Sequence, residues 1–271
     1  MQILGASFGK GQGKEGVELA FDHLVENGLF DLLPVSFYEN LHYHLDSVDK
    51  YLQDLSEKTF KLSLNNEFLL CIGGDHSIAL GSVAGILKAK PNTSLIWVDS
   101  HSDYNNVNSS ITNSLHGMPL NGLIHGKNTF NNFLFKWLGD GLIKPENVAI
   151  IGVNDVDPKE KEMLLSSGIH LYWSEDIYFE GIQFVVNDAI KKVGGEHIHL
   201  SFDMDAIKNS QFSATGCYCP NGMEVDDAKY IIHKLKQTNR LKSMDLVEYN
   251  PTLDFTKEQH KIVFDLLREL L

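Results

Sequence analysis

Phe68-Leu69-Leu70-Cys71-Ile72 runs directly into Gly73-Gly74-Asp75-His76-Ser77. Five apolar residues closed by a glycine pair read as a short strand buried on both faces, the kind found in parallel sheets. The same arrangement returns three times. Ser94-Leu95-Ile96-Trp97-Val98 leads into Asp99-Ser100-His101-Ser102-Asp103, His197-Ile198-His199-Leu200-Ser201-Phe202 delivers Asp203-Met204-Asp205, and Met244-Asp245-Leu246-Val247 delivers Glu248. Open parallel sheets bind ligands beyond the carboxyl ends of their strands. Four strands therefore aim carboxylates and imidazoles at one place.

Outward from these strands the chain alternates strand and helix. Ile3 to Phe8 and Val148 to Ile151 read as further strands, and Val17–Asn27, Asp49–Leu62, Ile78–Ala89, Lys159–Ser167, Phe184–Lys192, Asp226–Gln237 and Glu258–Leu271 read as helices. Pro91-Asn92 closes one helix, and Pro158 opens another. The expectation is an α/β protein, a three-layer α/β/α sandwich around a central, mainly parallel sheet. No Pro/Gly/Ser-rich linker or repeat divides the 271 residues, so residues 1–271 are read as a single catalytic domain.

Charge narrows the partners. With 23 basic against 36 acidic residues, the net charge of -13 repels a phosphate backbone or anionic lipid and welcomes a cation, so neither nucleic acid nor membrane is expected. The first residues lack the pattern of a secretory signal, and no apolar run approaches the roughly 18 residues of a membrane span. A cytoplasmic protein is expected. Cys217 and Cys219 stand too close for an unstrained disulfide, and Cys71 lies in a core strand, so reduced thiols are the simpler reading. A Cys-x-Cys metal site needs further Cys or His ligands, which the neighbouring sequence lacks.

On an extended backbone Asp99, His101 and Asp103 point to one side, as do Asp203 and Asp205. A lone Asp-x-Asp is commonly a solvated turn, and His76 alone could be a core histidine. Their coincidence after apolar strands argues otherwise. Four carboxylates gathered without cations would repel one another, and two divalent ions would balance the four charges. Two imidazoles with four carboxylates form an oxygen-rich donor set suited to Mn²⁺, and paired metals about 3.5–4 Å apart can deprotonate water and polarise an electrophile.

These residues resemble the three metal motifs of the ureohydrolase family: Gly-Gly-Asp-His-Ser at 73–77, Asp-Ser-His-Ser-Asp at 99–103 and Ser-Phe-Asp-Met-Asp at 201–205, with arginases the most similar members. Gly5 to Gln12 and Met244 to Pro251 extend the similarity to both ends of the chain. The resemblance implies the arginase-like sandwich, two manganese ions on His76, Asp99, His101, Asp103, Asp203 and Asp205, and Asp103 and Asp203 as double bridges. It further implies a homo-oligomer, trimer or hexamer, acting on a small guanidino compound.

By the same resemblance Asn105, Ser110 and Thr112 would receive a substrate α-carboxylate, Asp157 its α-amino group, and Glu248 the guanidinium. Apart from the motifs, those loop residues would read as ordinary polar loop positions. His116 would shuttle protons and Asp103 relay one to the departing amine, after a metal-bound hydroxide attacks the guanidinium carbon. The implied reaction converts L-arginine to L-ornithine and urea. The alternatives are another ureohydrolase, acting on agmatine, guanidinobutyrate or a formimino amino acid, and a non-catalytic arginase-like binding or regulatory protein. Four positions depart from the family pattern that the resemblance implies: Lys208-Asn209 for Asp-Pro, Asn154 for Arg, and Ser100 for Ala.

Overall fold

The computed structural model describes residues 1–43 and 47–271. Its eight strands are β1 (Gln2–Ser7), β2 (Phe37–His42), β3 (Leu69–Gly73), β4 (Thr93–Val98), β5 (Val148–Val153), β6 (His170–Trp173), β7 (His197–Asp203) and β8 (Leu241–Val247). They form one sheet in the order β2-β1-β3-β8-β7-β4-β5-β6. Every pairing is parallel.

The helices are α1 (Ala20–Glu26), α2 (Leu29–Leu32), α3 (Val48–Ser63), α4 (Ala79–Ala89), α5 (Pro119–His125), α6 (Pro158–Leu165), α7 (Ser174–Glu180), α8 (Ile182–Lys192), α9 (Val225–Gln237) and α10 (His260–Arg268). Successive strand residues point to opposite faces, and that alternation builds the layers. Ile3, Leu70, Ile72, Ile96 and Val98 pack with α1, α8, α9 and α10. Their neighbours Leu4, Leu69, Cys71, Leu95 and Trp97 pack against α3, α4, α5 and α6. The sheet is thus covered on both sides, giving the expected α/β/α sandwich.

The sequence reading has no strand at β2 or β6. These are the two edges of the sheet. β2 carries Glu39, Asn40 and His42 and is half-exposed, while β6 is only partly buried along its four residues, so neither presents the continuous apolar run of a central strand. The expected helix Val17–Asn27 is a short 3₁₀ turn at Val17–Leu19 followed by α1, and the terminal helix begins at His260.

The four strands singled out in the sequence are consecutive neighbours in space, β3-β8-β7-β4. One register row joins Ile72, Leu246, Phe202 and Val98. The next residues along β7 and its neighbour, Asp203 and Asp99, therefore leave the sheet side by side. Gly74 ties this edge together: its N–H bonds to Ala6 O, its carbonyl accepts the Glu248 N–H at 2.9 Å, and Asp75 N–H bonds to Phe8 O. A Cβ on Gly74 would stand 1.6 Å from Phe8 O, a backbone atom that cannot turn aside. Gly74→Ala is expected to destabilise the chain by about 3 kcal/mol. Urea unfolding of the two proteins in chelator checks this, and equal midpoints would contradict the close approach.

Candidate active site

Six of the sequence-predicted residues converge at the carboxyl ends of the central strands. His76 opens the turn after β3, and its Nδ1 lies 3.1 Å from Asp99 Oδ2, 3.0 Å from Asp103 Oδ2 and 3.1 Å from Asp203 Oδ2. His101 Nδ1 lies 3.1 Å from Asp205 Oδ2 and 3.4 Å from Asp99 Oδ1. Asp99 thus offers one oxygen to each imidazole, whereas the Asp103 contact is with His76.

His76 Nδ1 and Asp103 Oδ2 are buried, and among the described residues neither has a hydrogen-bond partner despite their close approach. Buried polar atoms are normally paired, so atoms that meet without bonding point to a shared third partner. Ligand atoms of His76, Asp99 and Asp203 all lie within 4.8 Å of one another, and so do those of His101, Asp205 and Cys217. With Asp103 beside His76, the two adjoining groups bring together two imidazoles, four carboxylates and a thiol, which fit a pair of divalent cations in number, charge and donor type.

Outer contacts fix these groups. His76 stacks on Trp97 with ring centroids 4.1 Å apart, and its Nε2 meets Ser201 Oγ at 2.8 Å. Trp97 Nε1 donates to Asp99 Oδ2, and Ser100 Oγ donates to Asp205 Oδ1. Asp99 Oδ1 and Asp203 Oδ1 accept the N–H groups of His101 and Asp205, each at 2.7 Å. Such contacts hold ligating side chains in orientation. Asp103 and Glu248 have φ of 51° and 62°, left-handed values that are strained for side-chain-bearing residues. Both strained residues face the site.

A cavity of about 230 Å³ opens above the cluster. His76, His101, Asp103, Asp203 and Asp205 line its floor, and Asn105, Ser110, Thr112, His116 and Asp157 line its walls. Glu248 lies buried beneath: its Oε1 accepts the His76 N–H and lies 3.2 Å from His116 Nδ1, and its Oε2 accepts from Gln12 Nε2. Ser110 Oγ and Thr112 Oγ1 accept the N–H groups of Asn113 and Ser114, which leaves their hydroxyl hydrogens free to donate. Asn105 is more committed, donating to Glu160 Oε2 at 2.7 Å and to Asp157 Oδ2 at 3.3 Å.

Sequence reasoning missed Gln12, Asp75, Glu160 and Cys217 as parts of this site. Asp75 stood inside a quoted motif, but its role as acceptor for Gly11 N–H and Ser77 N–H is visible only in the folded chain. Glu160 carries no motif. It is buried beneath the wall and accepts Tyr104 N–H, and burial lifts its carboxyl above the usual range.

The electrostatics follow from crowding. Burial, then Asp99, pushes the Asp103 carboxyl up to about 7, and burial, then Asp205, pushes Asp203 up as well. Burial opposes charge on His76 and His101, yet the facing carboxylates outweigh it and raise both. Asp99, also opposed by burial, is held low by His101 and His76. Positive charge is what this floor demands.

Fold and site together define an α/β/α protein with a buried, carboxylate-rich cluster whose donors fit divalent cations. The sequence profile of the arginase family matches residues 1–271. An arginase of Coccidioides posadasii is 32% identical over 93% of this chain and 87% of its own. Among solved structures, arginase from Bacillus subtilis has a TM-score of 0.91 at 28% identity, covering 100% of this chain and 97% of that one. Arginase from Entamoeba histolytica, in complex with L-ornithine, has a TM-score of 0.88 at 26% identity, covering 99% and 97%. The chain belongs to the arginase family and is an arginase-type ureohydrolase.

The His116–Glu248 contact gives a pH test. Burial opposes the His116 charge, but Glu248 outweighs it and lifts the imidazole from 6.5 to about 9. The pair therefore contributes fully below about pH 6.5 and is lost as pH rises through about 9. In chelator, wild type should lose on the order of 1–2 kcal/mol relative to His116→Asn between those limits. Urea melts at both pH values check this; parallel changes in the two proteins would contradict the ion pair.

Proposed function

We propose that the chain hydrolyses L-arginine to L-ornithine and urea with two Mn²⁺ held by His76, Asp99, Asp103, Asp203, His101 and Asp205. What supports this most is the layering of one cavity: a floor that demands cations, and walls carrying free hydroxyl donors and a carboxylate. When bound, the cation pair balances the carboxylate charge and supplies a nucleophile from water at neutral pH. Asp99 and Asp203 would serve both cations, Asp99 taking the place that the family resemblance gave to Asp103 because it turns one oxygen to each imidazole.

The chain's own groups do the rest. Ser110 and Thr112 donate hydrogen bonds to the α-carboxylate, with Asn105 beside them, and Asp157 accepts from the α-amino group. These contacts hold the extended substrate with its guanidinium over the floor, where Glu248 supplies a buried negative charge and orients it. Asp103 takes a proton from the attacking water and passes it toward the departing amine. His116, about a quarter exposed beside Glu248, exchanges protons with solvent and replenishes that relay.

One observation favours a second reading. Because the Asn105 amide is spent on Glu160 and Asp157, the carboxylate contacts rest mainly on Ser110 and Thr112, and a guanidine without a carboxylate, such as agmatine, is the alternative substrate. The two readings part in a Mn²⁺-loaded assay with arginine, agmatine and formiminoglutamate. Arginine is expected to exceed agmatine by roughly 10²-fold or more in kcat/KM, since hydroxyls and a carboxylate built for a lost partner would be left unpaired. A higher value for agmatine would replace the arginine assignment.

The metal roles separate by mutation. Asp99→Ala should lower bound Mn²⁺ well below two per chain, whereas Asp157→Ala should keep both ions and raise KM for arginine. Metal analysis of dialysed protein beside kinetics reads the difference, and equal metal content in Asp99→Ala and wild type would refute the bridging role. The expected setting is the cytoplasm, which suits three free cysteines. Among the described residues no helix is long and apolar enough to cross a membrane. A homo-oligomer is the expected assembly, and sedimentation of the loaded protein reads it.

A further inference from the structure

The turn that carries Cys217 and Cys219 is unusually well fixed. Asn209 donates its N–H to Cys219 O at 3.1 Å and accepts the Cys219 N–H on its own Oδ1. Asn154 Nδ2 lies 3.4 Å from Cys219 Sγ and is itself held by Ser174 through its Oδ1. Ser100 Oγ donates to Asp205 Oδ1. Asn209, Asn154 and Ser100 thus converge on the Cys-x-Cys turn and on the aspartate beside it.

The consequence lies on the other side of the turn. With Cys219 engaged by Asn154, the Cys217 side chain lines the cavity, and its Sγ falls in the compact group formed by His101 and Asp205. His101, Asp205 and Cys217 bring three different ligand atoms, nitrogen, oxygen and sulfur, within 4.8 Å of one another. The unbonded, buried His76 Nδ1 and Asp103 Oδ2 mark the adjoining half of the same floor as a place where side chains meet a third partner.

We propose that Cys217 is a sulfur ligand to the cation held by His101 and Asp205, making that half of the centre chemically unlike the oxygen-rich half at His76. This rests on the paired-cation reading and goes beyond it, because it assigns a ligand that neither the charge balance nor the motifs require. On ligation the S–H bond breaks, the proton leaves to solvent and the thiolate sulfur bonds the cation, with no change of oxidation state. Thiolates favour softer cations. The His101 position should accordingly take Co²⁺ or Zn²⁺ more readily than an all-oxygen-and-imidazole position would, and the two cations of one chain need not be the same element.

Co²⁺ alone is the probe. Chelated wild type, Cys217→Ser, Cys217→Ala and Cys219→Ser are titrated with Co²⁺ under anaerobic conditions while the absorption spectrum and bound metal are followed. A near-ultraviolet sulfur-to-cobalt band is expected in wild type and Cys219→Ser and absent from both Cys217 variants, with visible cobalt bands in all four proteins. Competition should also show Zn²⁺ displacing Mn²⁺ from one of two positions at roughly tenfold lower concentration in wild type than in Cys217→Ser. Two bound Co²⁺ with no sulfur band, or a band that survives loss of Cys217, would overturn the ligand assignment while leaving the paired-cation reading in place. No Co²⁺ bound by wild type would overturn both.

Discussion

The structure turns on the repulsion among Asp99, Asp103, Asp203 and Asp205, four carboxylates buried at one end of the sheet within reach of two imidazoles. Burying charge of one sign is costly unless something of the other sign is fixed beside it. Parallel strands supply the means of fixing it. Their register is set by apolar rows such as Ile72-Leu246-Phe202-Val98, so the residues that follow are delivered at defined positions before any ligand is present. The hydrophobic sheet is therefore the frame that makes the electrostatic problem possible, and cations are its fitting solution.

Much of this was legible in the sequence because two signals coincided. Central strands of a parallel sheet are buried on both faces, so β3 and β4 show as apolar runs and β7 and β8 as short stretches whose apolar residues are interleaved with His, Ser and Asp, and each leads into groups that water would otherwise surround. The edge strands β2 and β6 were not legible, since a strand with one open flank needs no such run. Their existence follows from tertiary pairing to β1 and β5. The strand order was equally hidden: β8 lies between β3 and β7, a neighbour relation that no local pattern encodes.

Within the site, residue types were easier to read than their connections. The spacing of Asp99, His101 and Asp103 predicts a shared side but not which carboxylate stands between the imidazoles, because that depends on the turn after β4. The left-handed backbone at Asp103 breaks the extended geometry on which the spacing argument rests. Cys217 was hidden for a related reason. A Cys-x-Cys pair looks incomplete in sequence, and its imidazole neighbour, His101, arrives from a different strand more than a hundred residues away.

The strained residues show how the frame and the chemistry are joined. Glu248 leaves β8 with a positive φ and would relax if nothing held it, yet its N–H is bound to Gly74 O, and its carboxylate takes His76 N–H and Gln12 Nε2. Each of those partners is itself fixed: Gly74 by its contact with β1, His76 by Trp97 and Ser201, and the segment before Gln12 by Gly11 N–H on Asp75. Strain of this kind persists only where the surroundings over-determine it. The segment after β1, remote in sequence from the Asp and His clusters, is thereby part of what holds the Glu248 carboxylate in place, and the reach of the site extends to residues whose only chemical property is a backbone N–H in the right position.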